Sequence, residues 1–108
     1  MITFDEFKKV EIRIGEIISA ERVPDTDKLV RLGVDFDEEE HRQIISGIAE
    51  YAEASTLVGR KFPFVTNLEP RTIRGLESNG MILAVTSEKG EFSFLEPSSD
   101  IANGGGVR

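Results

Sequence analysis

The side chains able to do chemistry fall into three groups. The first is His41, the only histidine, which follows the carboxylate run Asp37-Glu38-Glu39-Glu40. The second is Arg71 and Arg74, which share with Asn67 and Ser78 a segment that closes on Gly80. The third is Lys28, just after a candidate turn, and Arg42, just after the acidic run, either of which can point into a shared groove. There is no cysteine, which removes disulfides, thiolate metal sites and cysteine nucleophiles together and fits a cytoplasmic protein.

Covalent or acid–base catalysis needs a nucleophile held against a base, and neither can be assembled here. A single histidine at an acidic turn has no partner, and no Gly-rich phosphate loop is present. The expectation is a protein without catalytic residues, metal or cofactor. The carboxylates at 35 and 37–40 lack the alternating order and the distant bidentate Glu of a calcium loop. A solvated hairpin tip accounts for them, and such a tip also discourages edge-to-edge pairing.

The arginines are more informative. Each guanidinium can hold a phosphate through its planar fork, Asn67 and Ser78 add neutral donors, and Gly75 and Gly80 let a phosphodiester come close to the backbone. The same residues also suit a mobile loop whose arginines pair with Glu69 and Glu77. The overall charge of −7 opposes a polyanionic ligand, but residues 60–87 carry a net +2 and leave −9 for the rest. With no Trp and one Tyr, indole stacking on bases is excluded. Met81, opening a strand, is either core or a soft thioether at a rim.

The elements that must position these groups read largely as strands. Thr3 and Glu6 make a capping box that starts a short helix, whose Phe4 and Phe7 are expected to plug one end of a core. Val10, Ile12 and Ile14 alternate with charge, and the pattern runs on to Val23, with Gly15 a candidate bend. After the turn at Pro24-Asp25-Thr26-Asp27, residues 29–48 read as a hairpin with an acidic tip. Ala49 to Leu57 is predicted as a short helix ended by Gly59. Phe62, Phe64 and Val65 form a fourth strand, in which Pro63 demands an edge or an unpaired outward amide.

Residues 67–80 have no clear periodicity, and so long a connection in a small domain is usually functional or disordered. Met81 to Val85 is a fifth strand, Phe92 to Leu95 a short sixth, and residues 98–106 a tail rich in Ser and Gly. The 108 residues suffice for one core, so residues 1–108 are expected to be one domain. No apolar run approaches a membrane span, and no basic segment precedes an apolar one at the N-terminus. The order of strands, with one small helix between the third and fourth, predicts an all-β, five-stranded Greek-key barrel of the oligonucleotide-binding (OB) type.

As a set, Val10-Glu11-Ile12-Arg13-Ile14-Gly15, Asp27-Lys28-Leu29, Ser46-Gly47-Ile48, Asn67-Leu68-Glu69-Pro70-Arg71, Arg74-Gly75 and Ser78-Asn79-Gly80-Met81 resemble a known family. It is the tRNA-binding domain found at the C-terminus of methionyl-tRNA synthetases, as a free-standing β chain, and in stand-alone structure-specific tRNA-binding proteins. The resemblance implies an OB-fold barrel with added C-terminal strands, usually a homodimer that cups the corner of tRNA by shape rather than sequence. It implies a tRNA-facing surface at Lys28, Arg42, Asn67, Arg71, Arg74, Ser78 and Met81. This chain has Thr72 where relatives commonly carry a second basic residue. Related barrels serve as export-related chaperones for unfolded polypeptide, which is the alternative function; a module that only dimerises an enzyme is a third.

Overall fold

A computed structural model describes residues 1–108. The chain runs from a one-turn helix, α1 (Phe4–Phe7), into β1 (Ile12–Arg22), β2 (Val30–Asp35) and β3 (Arg42–Ser46). A 3-10 turn at Ala54–Leu57 leads to β4 (Lys61–Val65), and then come β5 (Arg71–Ile73), β6 (Leu76–Ser78), β7 (Met81–Ile82), β8 (Ala84–Thr86) and β9 (Phe92–Phe94). The main sheet has the antiparallel order β3-β2-β1-β4-β7, a meander whose fourth strand returns beside the first. The segment after β6 then reaches β3 and nearly closes the sheet: Asn79 N–H donates to the Gln43 carbonyl at 2.8 Å. The architecture is the expected all-β OB barrel.

Alternation in β1, β2 and β3 puts Ile17, Val30, Leu32, Val34 and Ile44 inside, joined there by Phe36, Ile48, Leu57, Phe62, Phe64 and Ile82. Phe36 meets Phe64 edge-on at 5.3 Å between ring centroids, the arrangement aromatic quadrupoles prefer. Gly15 is packed beneath Phe36. A Cβ there would lie 2.5 Å from both Phe36 Cε1 and Val34 Cγ1. The irregularity that re-aims β1 falls instead between Ile17 and Ser19, where the register with β2 shifts by one residue. The residue predicted as a bend is thus a close-approach glycine, and the bulge lies a few residues on.

Several local expectations change. Phe4 and Phe7 do not plug the core; they are exposed, because the capped α1 stays outside the barrel mouth. Only Ala54–Leu57 of the predicted helix is helical. The segment is too short to nucleate an α-helix, and its start is tied elsewhere: Ala49 N–H donates to the Lys28 carbonyl and Tyr51 stacks on Phe92 at 4.1 Å. Gly59 does take a positive φ of 87°, and its N–H donates to the Ile17 carbonyl rather than ending a helix.

Pro63 sits in β4 between two neighbours, not at an edge. Its carbonyl accepts from Leu83 N–H at 3.0 Å, but it has no N–H to return. The pairing with β7 therefore ends at Ile82, and the predicted strand over 81–85 splits. Its second half pairs with β9 as a separate hairpin, which packs Phe94 on Phe62 at 4.8 Å. The glycine-rich tail is also ordered by pairing: Ile14 N–H donates to Gly105 O, Gly104 N–H to Ile14 O and Val107 N–H to Ile12 O. It covers the edge of β1 that β2 leaves open. No helix is long and apolar enough to cross a membrane.

Gly15→Ala forces a methyl into the Phe36 and Val34 contact and is expected to destabilise the fold by about 1–3 kcal/mol. Urea unfolding measures this directly; an unchanged midpoint would contradict the packing described.

Candidate nucleic-acid interface

The segment 67–80 is not a loop without structure. β5 and β6 form a hairpin with Arg71 opposite Ser78, Thr72 opposite Glu77 and Ile73 opposite Leu76. Its turn residues, Arg74 and Gly75, have φ of 53° and 80°, as a type I′ turn requires. Glycine adopts this at no cost, whereas arginine is strained there.

The hairpin is fixed to β3 by a polar seam. Buried Ser78 accepts from Ile45 N–H through Oγ at 3.0 Å and donates to the Gly80 carbonyl at 3.2 Å, while Gln43 Nε2 donates to the Glu77 carbonyl at 2.9 Å. Gly80, at φ 144°, lies against this seam, and a Cβ there would meet Ile44 Cδ1 at 3.0 Å and the Val65 carbonyl at 3.1 Å.

The seven residues singled out in the sequence separate into two kinds. Arg42, Asn67 and Ser78 are engaged within the chain. Arg42 grips Glu38 through two parallel bonds of 2.9 and 3.0 Å, donates to the Thr66 carbonyl at 2.6 Å, and lies over the Phe36 ring at 5.4 Å. Asn67 accepts from Glu11 N–H at 2.8 Å and donates to the Lys9 carbonyl at 2.6 Å, fastening the N-terminal segment to the barrel. Lys28, Arg71, Arg74 and Met81 face solvent. Lys28 has a long ion pair to Glu50 at 3.7 Å. Arg71 and Arg74 pair with neither Glu69 nor Glu77, nor with any other carboxylate.

The acidic tip is likewise not uniform. Glu39 and Glu40 are solvated as expected, but Glu38 bridges Arg42 and Arg13, whose Nη2 lies 3.0 Å away. The hydrogen bonds from Arg42, then those from Arg13, hold the Glu38 carboxyl at a pKa of about 2 against the opposing effect of burial. Arg13 also lies over Phe36 at 5.3 Å, so the two guanidiniums and Glu38 form one lid on that ring.

The outer face of β1, β2 and β3 carries an open groove of about 490 Å³ lined by Ser19, Glu21, Arg31, Gly33, His41 and Gln43 among others. Its floor is low because Gly33 has no side chain, and a Cβ there would collide with Ser19 Oγ. Arg31 was not singled out in the sequence, and His41 was set aside there as a turn residue without a partner. The alternation that puts Arg31 outside between buried Val30 and Leu32 was visible, but not its neighbours across the strands. No group of three His, Cys, Asp or Glu side chains is placed to hold a metal ion.

A nearly closed five-stranded barrel with a polar outer face and a cationic hairpin beside it defines an oligonucleotide-binding module. The family described as "Putative tRNA binding domain" matches residues 12–105, and the chain belongs to it. Over 107 residues it is 42% identical to a methionine–tRNA ligase of Enterococcus faecalis, covering 98% of this chain and 16% of that protein. The chain therefore spans about one sixth of that relative's length, and its homologues are the C-terminal region of methionyl-tRNA synthetases. The structure matches that of a MetRS related protein from Pyrococcus horikoshii with a TM-score of 0.93 and 35% identity, over 100% of this chain and 98% of the other. It also matches the chaperone CsaA from Bacillus anthracis with a TM-score of 0.88 and 28% identity, over 100% and 99% of the two chains.

Glu38→Gln removes the charge that two guanidiniums share and is expected to cost about 1–2 kcal/mol after allowance for partial exposure. Because the folded carboxyl titrates at about 2 rather than near 4.5, this contribution is complete above 4.5 and disappears as pH falls toward 2. Denaturation of wild type and variant from neutral pH downward checks it: the gap between them should close over that window.

Proposed function

We propose that this chain is a non-catalytic module that binds tRNA by shape and backbone charge rather than by sequence. In this reading it serves methionyl-tRNA synthesis in the cytoplasm, either as part of a synthetase or beside one. The observation that carries it is the pair of exposed guanidiniums, Arg71 and Arg74, on a hairpin rigidly seamed to the barrel and without carboxylate partners. An acidic chain attracts a polyanion only where cations outnumber acids locally, and here Glu38 is already neutralised by Arg13 and Arg42. Lys28 and Met81 extend the exposed surface, whereas Arg42, Asn67 and Ser78 support it from behind. With no Trp on the chain, phosphate contacts supply the affinity, which suits recognition without base readout.

The likeness to a chaperone favours a second reading, binding of unfolded polypeptide, and exposed Tyr51, Val58, Val85 and Leu95 supply apolar surface for it. Its structural identity is lower than that to the MetRS related protein, and apolar surface gives no account of the unpaired arginines.

Titration with bulk tRNA is expected to give a log–log salt slope of roughly −2 to −4, and Arg71→Ala/Arg74→Ala should flatten it by about 2 while weakening binding at low salt. Equal affinity of the two proteins would overturn this surface. An unfolded polypeptide added as competitor should leave the tRNA bound; displacement would favour the second reading.

A homodimer is the proposed assembly, with Ile2, Phe4, Phe7 and Val10 of the N-terminal segment as its exposed apolar contribution. Light scattering should report a dimer for the wild type and a monomer for Phe4→Ser/Phe7→Ser.

A further inference from the structure

Where the tail meets the barrel it lies against two carboxylates. Glu16 of β1 and Asp35 of β2 are direct partners across the ladder, both half-buried, and neither has a cation within ion-pair distance. Like charges in opposed positions destabilise a strand pair. The group that joins them is the Asn103 amide, whose Nδ2 donates to Glu16 Oε1 at 3.0 Å and to Asp35 Oδ2 at 3.2 Å, one N–H for each. Its Oδ1 is buried and accepts no hydrogen bond. Lys61, opposite Glu16 on β4, is committed to the tail instead: its Nζ donates to Asp100 Oδ1 at 3.2 Å and to the Ile101 carbonyl at 2.5 Å. Asn103 therefore fastens the tail only while its side chain is an uncharged donor.

Asn103 is followed by Gly104, and the chain has one other Asn-Gly pair, Asn79-Gly80. A glycine nitrogen reaches the side-chain amide before it without obstruction from a Cβ. We propose that Asn103 is a deamidation site and that its conversion releases the tail irreversibly. The Gly104 nitrogen attacks Asn103 Cγ and gives up its proton; the Cγ–Nδ2 bond breaks, and Nδ2 leaves with that proton as ammonia, closing a succinimide. Water then adds at either ring carbonyl and opens the ring to aspartate or its β-linked isomer. In the seated tail the Gly104 N–H is bound to the Ile14 carbonyl at 2.7 Å, so the attack takes place when the chain end lifts, as termini do far more often than the whole fold opens. A carboxylate at 103 has no N–H to offer Glu16 or Asp35, adds a third negative charge beside them and leaves its own buried oxygen without a donor. The lifted tail then cannot seat again. Asn79 is placed differently. Its N–H and carbonyl belong to the seam with Gln43 and Arg42, and Gly80 packs against Ile44 and the Val65 carbonyl, so the same reaction there requires the barrel to open.

Timed incubation of the full chain in mildly alkaline buffer, followed by peptide mass mapping, is expected to show the amide-to-carboxyl mass change at Asn103 several-fold sooner than at Asn79. Equal rates or the reverse order overturn the site, and so does an unchanged Asn103 after the time in which the chain converts fully in denaturant. Release of the tail is read from amide hydrogen exchange at Ile14 and Val107, whose N–H groups bond across the junction of tail and β1. Wild type, Asn103→Asp and Asn103→Ala are compared, with thermal melts to confirm that each is folded. Asn103→Asp is expected to raise exchange at both amides several-fold, and the converted wild-type chain to match it. Asn103→Ala should raise it less, because it removes the same two hydrogen bonds without adding charge. Exchange in Asn103→Asp equal to that of wild type overturns the release; Asn103→Ala exchanging as fast as Asn103→Asp overturns the part assigned to charge. Should Asn103→Asp not fold, the converted and unconverted wild-type chains, separated by anion exchange, carry the same comparison.

Discussion

The hydrogen bonds that join the end of the β5–β6 hairpin to β3 decide both the shape of the barrel and the position of its cations. A five-stranded sheet this small has two edges, and burial of apolar side chains alone does not say which outside strand should meet which. Ser78 Oγ on Ile45 N–H and Asn79 N–H on Gln43 O specify the meeting and the register together. Arg42 reaches the same junction from β3 by donating to the Asn79 carbonyl at 3.4 Å, and ties it to the end of β4 through the Thr66 carbonyl. Polar groups at a closing seam are costly when unpaired, so any slipped register leaves buried donors without acceptors. The hairpin that projects Arg71 and Arg74 inherits its rigidity from this requirement.

The lid on Phe36 applies the same principle to charge. Two arginines on adjacent parts of the sheet would repel each other across an aromatic ring if nothing lay between them. Glu38 lies between them, and the ring accepts both cations on its face. An acidic run that looks like simple solubility dressing thus contains one structural member, Glu38, and three carboxylates without an ion pair.

How far the sequence alone carries can be judged from particular residues. β1 to β4 were legible because each has at least five residues, and β2 alternates strictly, as in Val30, Leu32 and Val34. The β5–β6 hairpin was not, since three-residue strands exposed on one side carry too little pattern and the turn uses Arg-Gly instead of the common Asn-Gly. The break at Leu83 was invisible locally because its cause, the missing N–H of Pro63, lies on another strand. Among the site residues, the exposure of Arg71 and Arg74 agrees with their place in a polar segment. The inward commitments of Arg42 and Asn67 depend on partners such as Thr66 and Lys9, remote in the chain. Arg31 and Arg74, far apart in the chain, come to line one groove only when the sheet folds.

The tail offers a different kind of consequence. By pairing Gly104, Gly105 and Val107 with Ile12 and Ile14, it occupies backbone groups that would otherwise form a ready template for a foreign strand. Gly104 is required there, since its φ of 89° and the Phe36 carbonyl leave no room for a side chain. Proteolytic clipping of the last few residues would therefore do more than shorten the protein. It would convert a satisfied seam into an adhesive one and make aggregation, rather than local fraying, the first symptom of damage.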